Sequence, residues 1–341
     1  MDPLTQGTLG AIGAQNLAHR ADNEPVKYAQ LKLAGILGFI AGLSADLDVL
    51  IQSENDALLA LEYHRQFTHS LIFIPFGGLI SAVILFYLLG RRRKLSFQTT
   101  ALYCTAGYAT HALLDACTTY GTQLFWPFSN ARIAWNTVSI IDPLFTLPLL
   151  ALVIAASIRN SKVLARIALA WVFIYLVFGM LQRDRAQEAA YALASERGHQ
   201  AERLIAVPSI GNAIVWKTVY QADNNYYVDV IRTGFSISHF EGMPVEKYTA
   251  DRHFQWLNSA SQQALDIERF RWFTNNYIGI HPDDTSRIID VRYSRNPLSV
   301  DSMWSVQPVK GKPDTAHINY ISTRSDLDSD LTALWTMYKG Q

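Results

Sequence analysis

A histidine and an aspartate lie four residues apart in the apolar stretch AGYATHALLDAC, residues 106–117. At this spacing His111 and Asp115 share one face of a helix, where they can bind one ion or bond to each other. An ionisable side chain within an apolar span is costly to bury and therefore indicates a functional site. The pair by itself fits a metal site and also fits a simple buried hydrogen bond.

Further candidate ligands occur where other apolar stretches begin or end. Asp46 and Asp48 belong to SADLD, His64 and His69 to EYHRQFTHS, and Asp142 to SIIDPLF. A spacing of two residues would direct Asp46 and Asp48 to different sides of a helix. Both can therefore reach one site only if the helix ends there. Otherwise one of them is a helix-end residue or supports a ligand. Asp142 precedes a proline and suits an N-cap as well as a metal ligand.

The elements that must position these residues are apolar segments of membrane-spanning length. Half of the 341 residues are hydrophobic, 17% are charged and the formal net charge is zero, which argues against nucleic-acid binding and disorder. Apolar segments of about 20 residues match the thickness of a hydrocarbon core, which is about 30 Å. The alternative is a soluble protein with a large helical core, but the helices of such a core are usually shorter. Long apolar blocks cover residues 31–47, 70–90, 99–117, 138–158 and 163–181.

A shorter block, residues 4–18, adds a sixth helix to this set. Glycines at positions 7, 10 and 13 allow close contact with neighbouring helices. The block lacks the basic segment and the cleavage site of a signal peptide. The sequence therefore predicts an α-helical integral membrane domain of about six spans over residues 1–181.

The distribution of basic residues predicts the orientation of these spans. Loops rich in Lys and Arg alternate with loops that carry only Arg65 and Arg132. Basic loops face the cytoplasm, so in a bacterium the candidate ligands lie at the outer face of the inner membrane and the C-terminus lies outside the cytoplasm. The basic loops contain Arg20, Lys27, Lys32, Arg91, Arg92, Arg93, Lys94, Arg159, Lys162 and Arg166.

The composition changes after Leu181, and residues 182–341 predict a soluble, periplasmic α+β domain. Its first part, residues 182–198, continues as a helix out of the membrane. Stretches rich in β-branched and aromatic residues predict an antiparallel sheet, and two stretches predict helices. The predicted strands cover residues 213–220, 225–240, 287–294 and 317–322, and the predicted helices cover residues 246–277 and 325–340.

The predicted topology brings histidines and carboxylates together without cysteine. This ligand set suits zinc, with manganese as an alternative, and is large enough for one or two ions. Two ions would support phosphoester hydrolysis. Arg65 fits bidentate binding of a phosphate and equally fits an interfacial arginine that meets lipid headgroups. The predicted metal ligands are Asp46, Asp48, His64, His69, His111 and Asp115.

Several of these motifs resemble a bacterial inner-membrane family described as membrane-bound metal-dependent hydrolases. The resemblance covers about residues 1–180. That family is in turn similar to zinc-dependent phospholipase C and to fungal single-strand nucleases, whose metal sites use HxxxD and HxxxE pairs. Here only His111 and Asp115 match HxxxD. The matching stretches are, in order, MDPLTQG, SADLDVL, HRQFTHSL, HALLDACTTYGTQLFWPFS and IDPLFTLPLL.

The resemblance implies ligand roles for His64, His69, His111, Asp115 and one of the two aspartates of SADLD. Many members have histidine where this chain has Gln6. Three explanations remain open: one metal position is lost, Gln6 contacts the substrate, or the N-terminus supplies no ligand.

The resulting expectation is a metal-dependent hydrolase of a membrane lipid or lipid-linked phosphate. Its expected catalytic residues are Asp46, Arg65, His69 and Asp115. One alternative is a non-catalytic protein that binds or transports a cation or proton, and another is a scaffold that a metal stabilises. A transporter places ionisable groups near the middle of the bilayer, whereas here they crowd toward one face, which favours the hydrolase.

Overall fold

The computed structural model describes residues 1–18, 30–323 and 327–340. The basic residues Arg20 and Lys27, which contribute to the predicted orientation, lie outside these ranges. The chain forms two compact units. The first comprises Met1–Leu50 and Tyr63–Gly179, and the second comprises Ile51–Glu62 and Met180–Gln341.

Helices make up the first unit. The helix α2 continues as a 3-10 turn, Ser44–Leu50, and α4 continues as a π-helical turn, Phe86–Gly90. The short helix α3 lies within the second-unit segment except for its last residue, Tyr63, and α7 runs from the first unit into the second. The helices are α1 (Pro3–Leu17), α2 (Gln30–Leu43), α3 (Leu59–Tyr63), α4 (Ile74–Leu85), α5 (Phe97–Cys117), α6 (Pro143–Arg159) and α7 (Lys162–Glu196).

Polar side chains define where these helices begin. Asp2 accepts a hydrogen bond from the Thr5 N–H and starts α1 just before a proline. Asp142 does the same for α6, accepting from the Phe145 N–H at 3.2 Å and from the Tyr175 hydroxyl at 2.7 Å. These bonds satisfy donors that a helix N-terminus leaves free. Of the two interpretations of Asp142, the structure supports the cap.

Within the described ranges, three segments are long and apolar enough to cross a membrane: Leu31–Leu50, Leu71–Arg93 and Lys162–Glu196. The apolar helix α6 is shorter, at 17 residues. Large apolar side chains such as Phe76, Ile80 and Phe173 are exposed on these helices. Exposed apolar surface on long helices is expected where lipid is the solvent. The first unit is therefore a helical membrane unit.

Three glycines bring α1, α2 and α5 into direct backbone contact. A Cβ atom on Gly10 or on Gly107 would lie 2.3 Å from the Gly38 carbonyl oxygen. Only glycine permits such an approach, and small residues are the usual means of close packing between helices in a membrane. The close contact predicted for the first helix is confirmed, and it sets the distances among the side chains farther along the same helices.

We expect Gly107→Ala to destabilise the protein by about 1–3 kcal/mol, because the added methyl group would overlap a backbone oxygen that cannot move away. Thermal unfolding in detergent measures the effect. Gly13→Ala is the milder comparison at the same helix contact, since its Cβ would lie 3.1 Å from the Ala106 carbonyl oxygen and needs a shift of only a few tenths of an ångström. Equal unfolding temperatures for both variants would refute the glycine contact.

The second unit contains two antiparallel sheets of four strands each, in the orders β1-β2-β3-β4 and β5-β6-β7-β8. Two helices accompany them, α8 (Gln262–Phe273) and α9 (Leu327–Lys339). The strands are β1 (Arg203–Pro208), β2 (Val215–Ala222), β3 (Asn225–Thr233), β4 (Ile237–Glu246), β5 (Ile278–Ile280), β6 (Ile288–Asp290), β7 (Trp304–Gln307) and β8 (Asn319–Ser322).

The antiparallel α+β character predicted for this part of the chain is confirmed, with differences in detail. The predicted strand 225–240 is a hairpin, because the chain reverses between Thr233 and Ile237. The predicted helix 246–277 is helical only from Gln262, where Ser261 caps it by accepting from the Ala264 N–H. Strands β5 and β7 have three and four residues, too few for a periodic pattern to reveal.

Candidate metal centre

Four elements of the first unit converge on one cluster of ionisable side chains. The α-helical part of α2 ends at Leu43, and the following 3-10 turn carries Asp46 and Asp48. This ending is the condition under which both aspartates can contribute. The segment after α3 supplies His64, Arg65 and His69. The last two turns of α5 and the start of α1 supply the remaining members, His111, Asp115 and Gln6.

Asp46, His69, His111 and Asp115 place one donor atom each within 4.8 Å of one another. Asp46 Oδ1 is 3.2 Å from His111 Nε2 and 3.4 Å from His69 Nε2. Asp115 Oδ2 is 3.3 Å from His69 Nε2 and 3.7 Å from His111 Nε2. Ligands on a tetrahedral zinc ion are separated by about 3.3–3.6 Å, given metal–ligand bonds of 2.0–2.2 Å. Four of the six separations among the donors, 3.2–3.7 Å, are thus close to those of one tetrahedral site. The shortest, between His111 Nε2 and Asp46 Oδ1, also meets the distance of a hydrogen bond.

Two atoms of this group are buried without a hydrogen-bond partner, His69 Nε2 and Asp115 Oδ2. Buried polar atoms rarely lack a partner, and a bound ion is one of the accepted explanations. The residues present thus fit a divalent cation. Asp46 has the most accessible side chain of the four, at 27% exposure, whereas the side chains of the other three are fully buried.

Both histidines are oriented so that Nε2 faces the centre of the group. His111 Nδ1 lies 2.5 Å from the Gly42 carbonyl oxygen, to which it donates. His69 Nδ1 lies 3.2 Å from Asp48 Oδ2 and 2.9 Å from the Thr68 hydroxyl. A partner at one ring nitrogen fixes the tautomer that leaves the other free to bind a metal.

Asp48 and His64 form a hydrogen-bonded pair beside this group. His64 Nδ1 is 2.8 Å from Asp48 Oδ1, and Asp48 Oδ2 accepts from the Arg65 backbone N–H and the Thr68 hydroxyl. Asp46, Asp48 and His64 also meet the distance limit for a metal group. However, 2.8 Å is shorter than the separation of two ligands on one zinc ion and matches a hydrogen bond. The geometry favours Asp48 as the residue that orients His64 and His69.

Arg65 lies in the interior of the first unit, at 4% exposure. Its Nε is 2.9 Å from Asp115 Oδ2, an ion pair without hydrogen-bond alignment, and Nη1 donates to the Thr118 hydroxyl at 2.9 Å. The guanidinium also lies 4.8 Å from the centre of the Tyr120 ring. These contacts differ from those of an arginine that faces lipid headgroups. In this position Arg65 compensates the charge of Asp115.

The surroundings of His69 favour a positive charge. Burial by itself would lower the pKa of this imidazole, but the carboxylates of Asp115, Asp46 and Asp48 outweigh it and raise the pKa to about 10. A proton or a metal ion would satisfy the same need for charge compensation.

Gln6 takes part through its amide nitrogen, which donates to Asp115 Oδ1 at 2.7 Å. The α-amino group of Met1 donates to the same oxygen. These contacts give Gln6 a role that none of the three explanations from the sequence includes, which is to hold Asp115 in place. Its buried Oε1 has no hydrogen-bond partner.

The second unit contains a third group of this kind, formed by Asp56, Asp266 and His317. Arg269 donates to both carboxylates at 2.9–3.0 Å and also to Glu62. The guanidinium lowers the pKa of Asp56 and overcomes the opposing effect of burial. Because the Arg269 guanidinium already compensates the charge of these carboxylates, this group is an ion-pair network and not a metal site.

Sequence reasoning did not identify two contributors to the site. Thr68 lies within HRQFTHS, next to a candidate ligand, so its position was a usable signal. Gly42 acts through its backbone carbonyl, for which residue type gives no indication.

We expect Asp48→Asn to weaken metal binding about 10- to 100-fold, the usual effect of removing a residue that orients a ligand. The amide keeps the size of the side chain but removes the negative charge that fixes His69 and His64. Titration with zinc in the presence of a competing chelator measures the change. An unchanged affinity would show that Asp48 has no orienting role.

Comparisons with known proteins place the chain among membrane proteins. The uncharacterized protein YfhP of Bacillus subtilis (strain 168) is 29% identical over 111 residues, which are 32% of this chain and 33% of YfhP. The aligned part of the chain thus spans about a third of the length of this curated relative. No solved structure matches. The model of the YdjM inner membrane protein family matches residues 1–186, so this chain belongs to that family.

Proposed function

We propose that this protein is a metal-dependent hydrolase that cleaves a phosphoester of a membrane lipid or lipid-linked substrate. The observation that carries the proposal is the group of four donors, Asp46, His69, His111 and Asp115, two of whose buried atoms lack a hydrogen-bond partner. The proposal includes about six spans, an outward-facing centre and a C-terminal domain outside the cytoplasm.

A divalent cation at this centre would supply a water molecule of lowered pKa and would stabilise negative charge on phosphorus. The chain supports this chemistry with residues that it holds in fixed orientations. Asp48 and the Gly42 carbonyl keep Nε2 of His69 and His111 directed inward. Arg65 lies beside Asp115 in a buried place and balances its negative charge.

Access to the centre favours a lipid as substrate. The partly exposed Asp46 is followed on the same 3-10 turn by Leu47, Val49 and Leu50, all of them exposed. A partly exposed ligand beside apolar side chains suits a substrate with acyl or prenyl chains better than a fully polar ester. His64 is half-buried and its Nδ1 is bound to Asp48. We propose that its Nε2 exchanges a proton with the substrate or with water.

The test is hydrolysis by the detergent-purified full chain, loaded with zinc or with manganese. The substrates are vesicles of phosphatidate, vesicles of phosphatidylglycerol and a polyprenyl diphosphate in mixed micelles. We expect release of phosphate or headgroup from at least one of them, and loss of this release in His69→Ala. His281→Ala serves as the control, because it also removes a histidine that contacts an aspartate, but this histidine, paired with Asp301, lies in the second unit.

The other possible results separate the alternatives. A bound metal without turnover of any substrate would contradict the hydrolase and leave the metal-stabilised scaffold. Metal-dependent cation flux into proteoliposomes without hydrolysis would leave the transporter. Absence of bound metal after loading would reject every metal-dependent function of the centre.

A further inference from the structure

The tip of the hairpin between β3 and β4 carries an aromatic side chain in full exposure. Phe235 lies between Gly234 and Ser236 and has a relative exposure of 114%, the largest value among the large hydrophobic residues described. Ile237, the first residue of β4, is also exposed. Removing such side chains from water is favourable, so two of them at one tip indicate that the tip contacts another apolar surface.

The hairpin tip is fixed to helix α7 by several hydrogen bonds within the second unit. Gln182 Nε2 donates to the Thr233 carbonyl oxygen at 2.7 Å, although the glutamine is buried. Arg185 donates to the same oxygen at 3.3 Å and to the Gly234 carbonyl oxygen at 3.0 Å. It also donates to Gln182 Oε1 at 2.6 Å. The tip therefore keeps a defined height along α7.

That height coincides with the end of the apolar part of the helix. Residues 163–181 are almost entirely apolar, and Met180 and Leu181 are exposed. With a rise of 1.5 Å per residue, Gln182 and Arg185 lie within about 6 Å of Leu181 along the helix axis. The headgroup layer of each leaflet is about 5–7 Å thick, by difference between the whole bilayer and its hydrocarbon core. If the apolar part of α7 fills the hydrocarbon core, the hairpin tip has the height of the headgroups.

We propose that Phe235 and Ile237 insert into the headgroup region of the leaflet from which α7 emerges, so that the β3–β4 hairpin is a second attachment of the C-terminal domain to the bilayer. The occupant of this surface is lipid, because the tip continues the apolar surface of a membrane-spanning helix. Apolar side chains such as Phe and Leu are those with which surface-bound segments enter the boundary between headgroups and acyl chains. The proposal does not depend on metal binding or hydrolysis.

The test uses a fluorescent label at Phe235→Cys in the full chain, reconstituted into phosphatidylethanolamine and phosphatidylglycerol vesicles. Some vesicles also contain lipid with a nitroxide near the headgroup. The matched control is Glu241→Cys, on β4 of the same hairpin, with a side chain that is 72% exposed. Six residues of extended chain place this site about 20 Å from residue 235. The parent chain, whose Cys104 and Cys117 are buried, gives the background labelling.

We expect the label at position 235 to lose most of its fluorescence to the lipid-borne nitroxide and to resist iodide, a water-soluble quencher. The label at position 241 should behave in the opposite way. Equal quenching of both labels by iodide would overturn the proposal. Protection of position 235 that depends on protein concentration, without quenching by nitroxide lipid, would also overturn it and would identify a second copy of the chain as the partner.

Discussion

Replacing His111 by alanine is expected to abolish metal binding and to lower hydrolysis more than about 100-fold, since even residues that only orient a ligand contribute 10- to 100-fold. His111 Nε2 is 3.2 Å from Asp46 Oδ1 and 3.7 Å from Asp115 Oδ2, so its removal takes away one donor of the four. Two of the three remaining donors are carboxylates, which repel each other. An ion that is bound by only three donors offsets this repulsion less well than one bound by four. Elemental analysis of the purified protein and the lipid hydrolysis assay measure the two effects.

The variant should still fold and insert. Alanine is the best helix former, and the substitution leaves Ser96, which caps α5 by accepting from the Thr99 N–H, in place. Circular dichroism and membrane insertion should therefore match the parent chain. His281→Ala again provides the comparison, because it removes a histidine that contacts an aspartate elsewhere. Stoichiometric metal in His111→Ala would rule out this histidine as a ligand.

The second large effect concerns stability in the absence of metal. Asp115→Ala leaves the Arg65 guanidinium buried without its counter-charge, and breaking a buried ion pair in this way costs on the order of 3–5 kcal/mol. In the parent chain Arg65 Nε and Asp115 Oδ2 are 2.9 Å apart. The substitution also removes the acceptor of the Gln6 hydrogen bond. Unfolding by heat in detergent, with a chelator present, measures the destabilisation separately from any effect of metal.

A second variant separates removal of the ion pair from removal of packing. Combining Asp115→Ala with Arg65→Met removes both charges, and replacement of a buried ion pair by apolar residues is often nearly neutral. The double variant should therefore be more stable than Asp115→Ala alone. Asp301→Ala, at an exposed carboxylate, is the control and should change stability little. If the double variant is less stable than the single one, Arg65 contributes mainly through Thr118 and the Tyr120 ring.

The two effects bear on different parts of the proposal. Loss of metal in His111→Ala tests the centre itself, whereas the behaviour of Asp115→Ala tests whether Arg65 serves as an internal counter-charge. Arg65 adopts a left-handed backbone conformation, with φ of 65°, and its N–H donates to Asp48. A residue held this firmly is poorly placed to follow a substrate, which agrees with a supporting role.

The features that depend on local pattern could be predicted from the order of the amino acids. Apolar runs predicted long apolar helices, and the run that ends at Leu181 followed by a polar helical stretch predicted one continuous helix, which is α7. Spacing four placed His111 and Asp115 on one face, and Asp142 before a proline predicted the cap of α6. Each of these depends on residues within a few turns of one another, where the geometry of the helix leaves little freedom.

Which donors face one another depends on how the helices pack and could not be predicted from local pattern. A 3-10 turn at the end of α2 directs Asp46 toward Nε2 of His69 and His111 and places Asp48 at the other ring nitrogen of His69. The inward position of Arg65, the bond from Gln6 to Asp115 and the membership of Ile51–Glu62 in the second unit depend on elements far apart in the chain. Helical periodicity fixes the direction of a side chain relative to its own axis, but the rotation and distance between helices come from packing, here from the contact of Gly38 with Gly10 and Gly107.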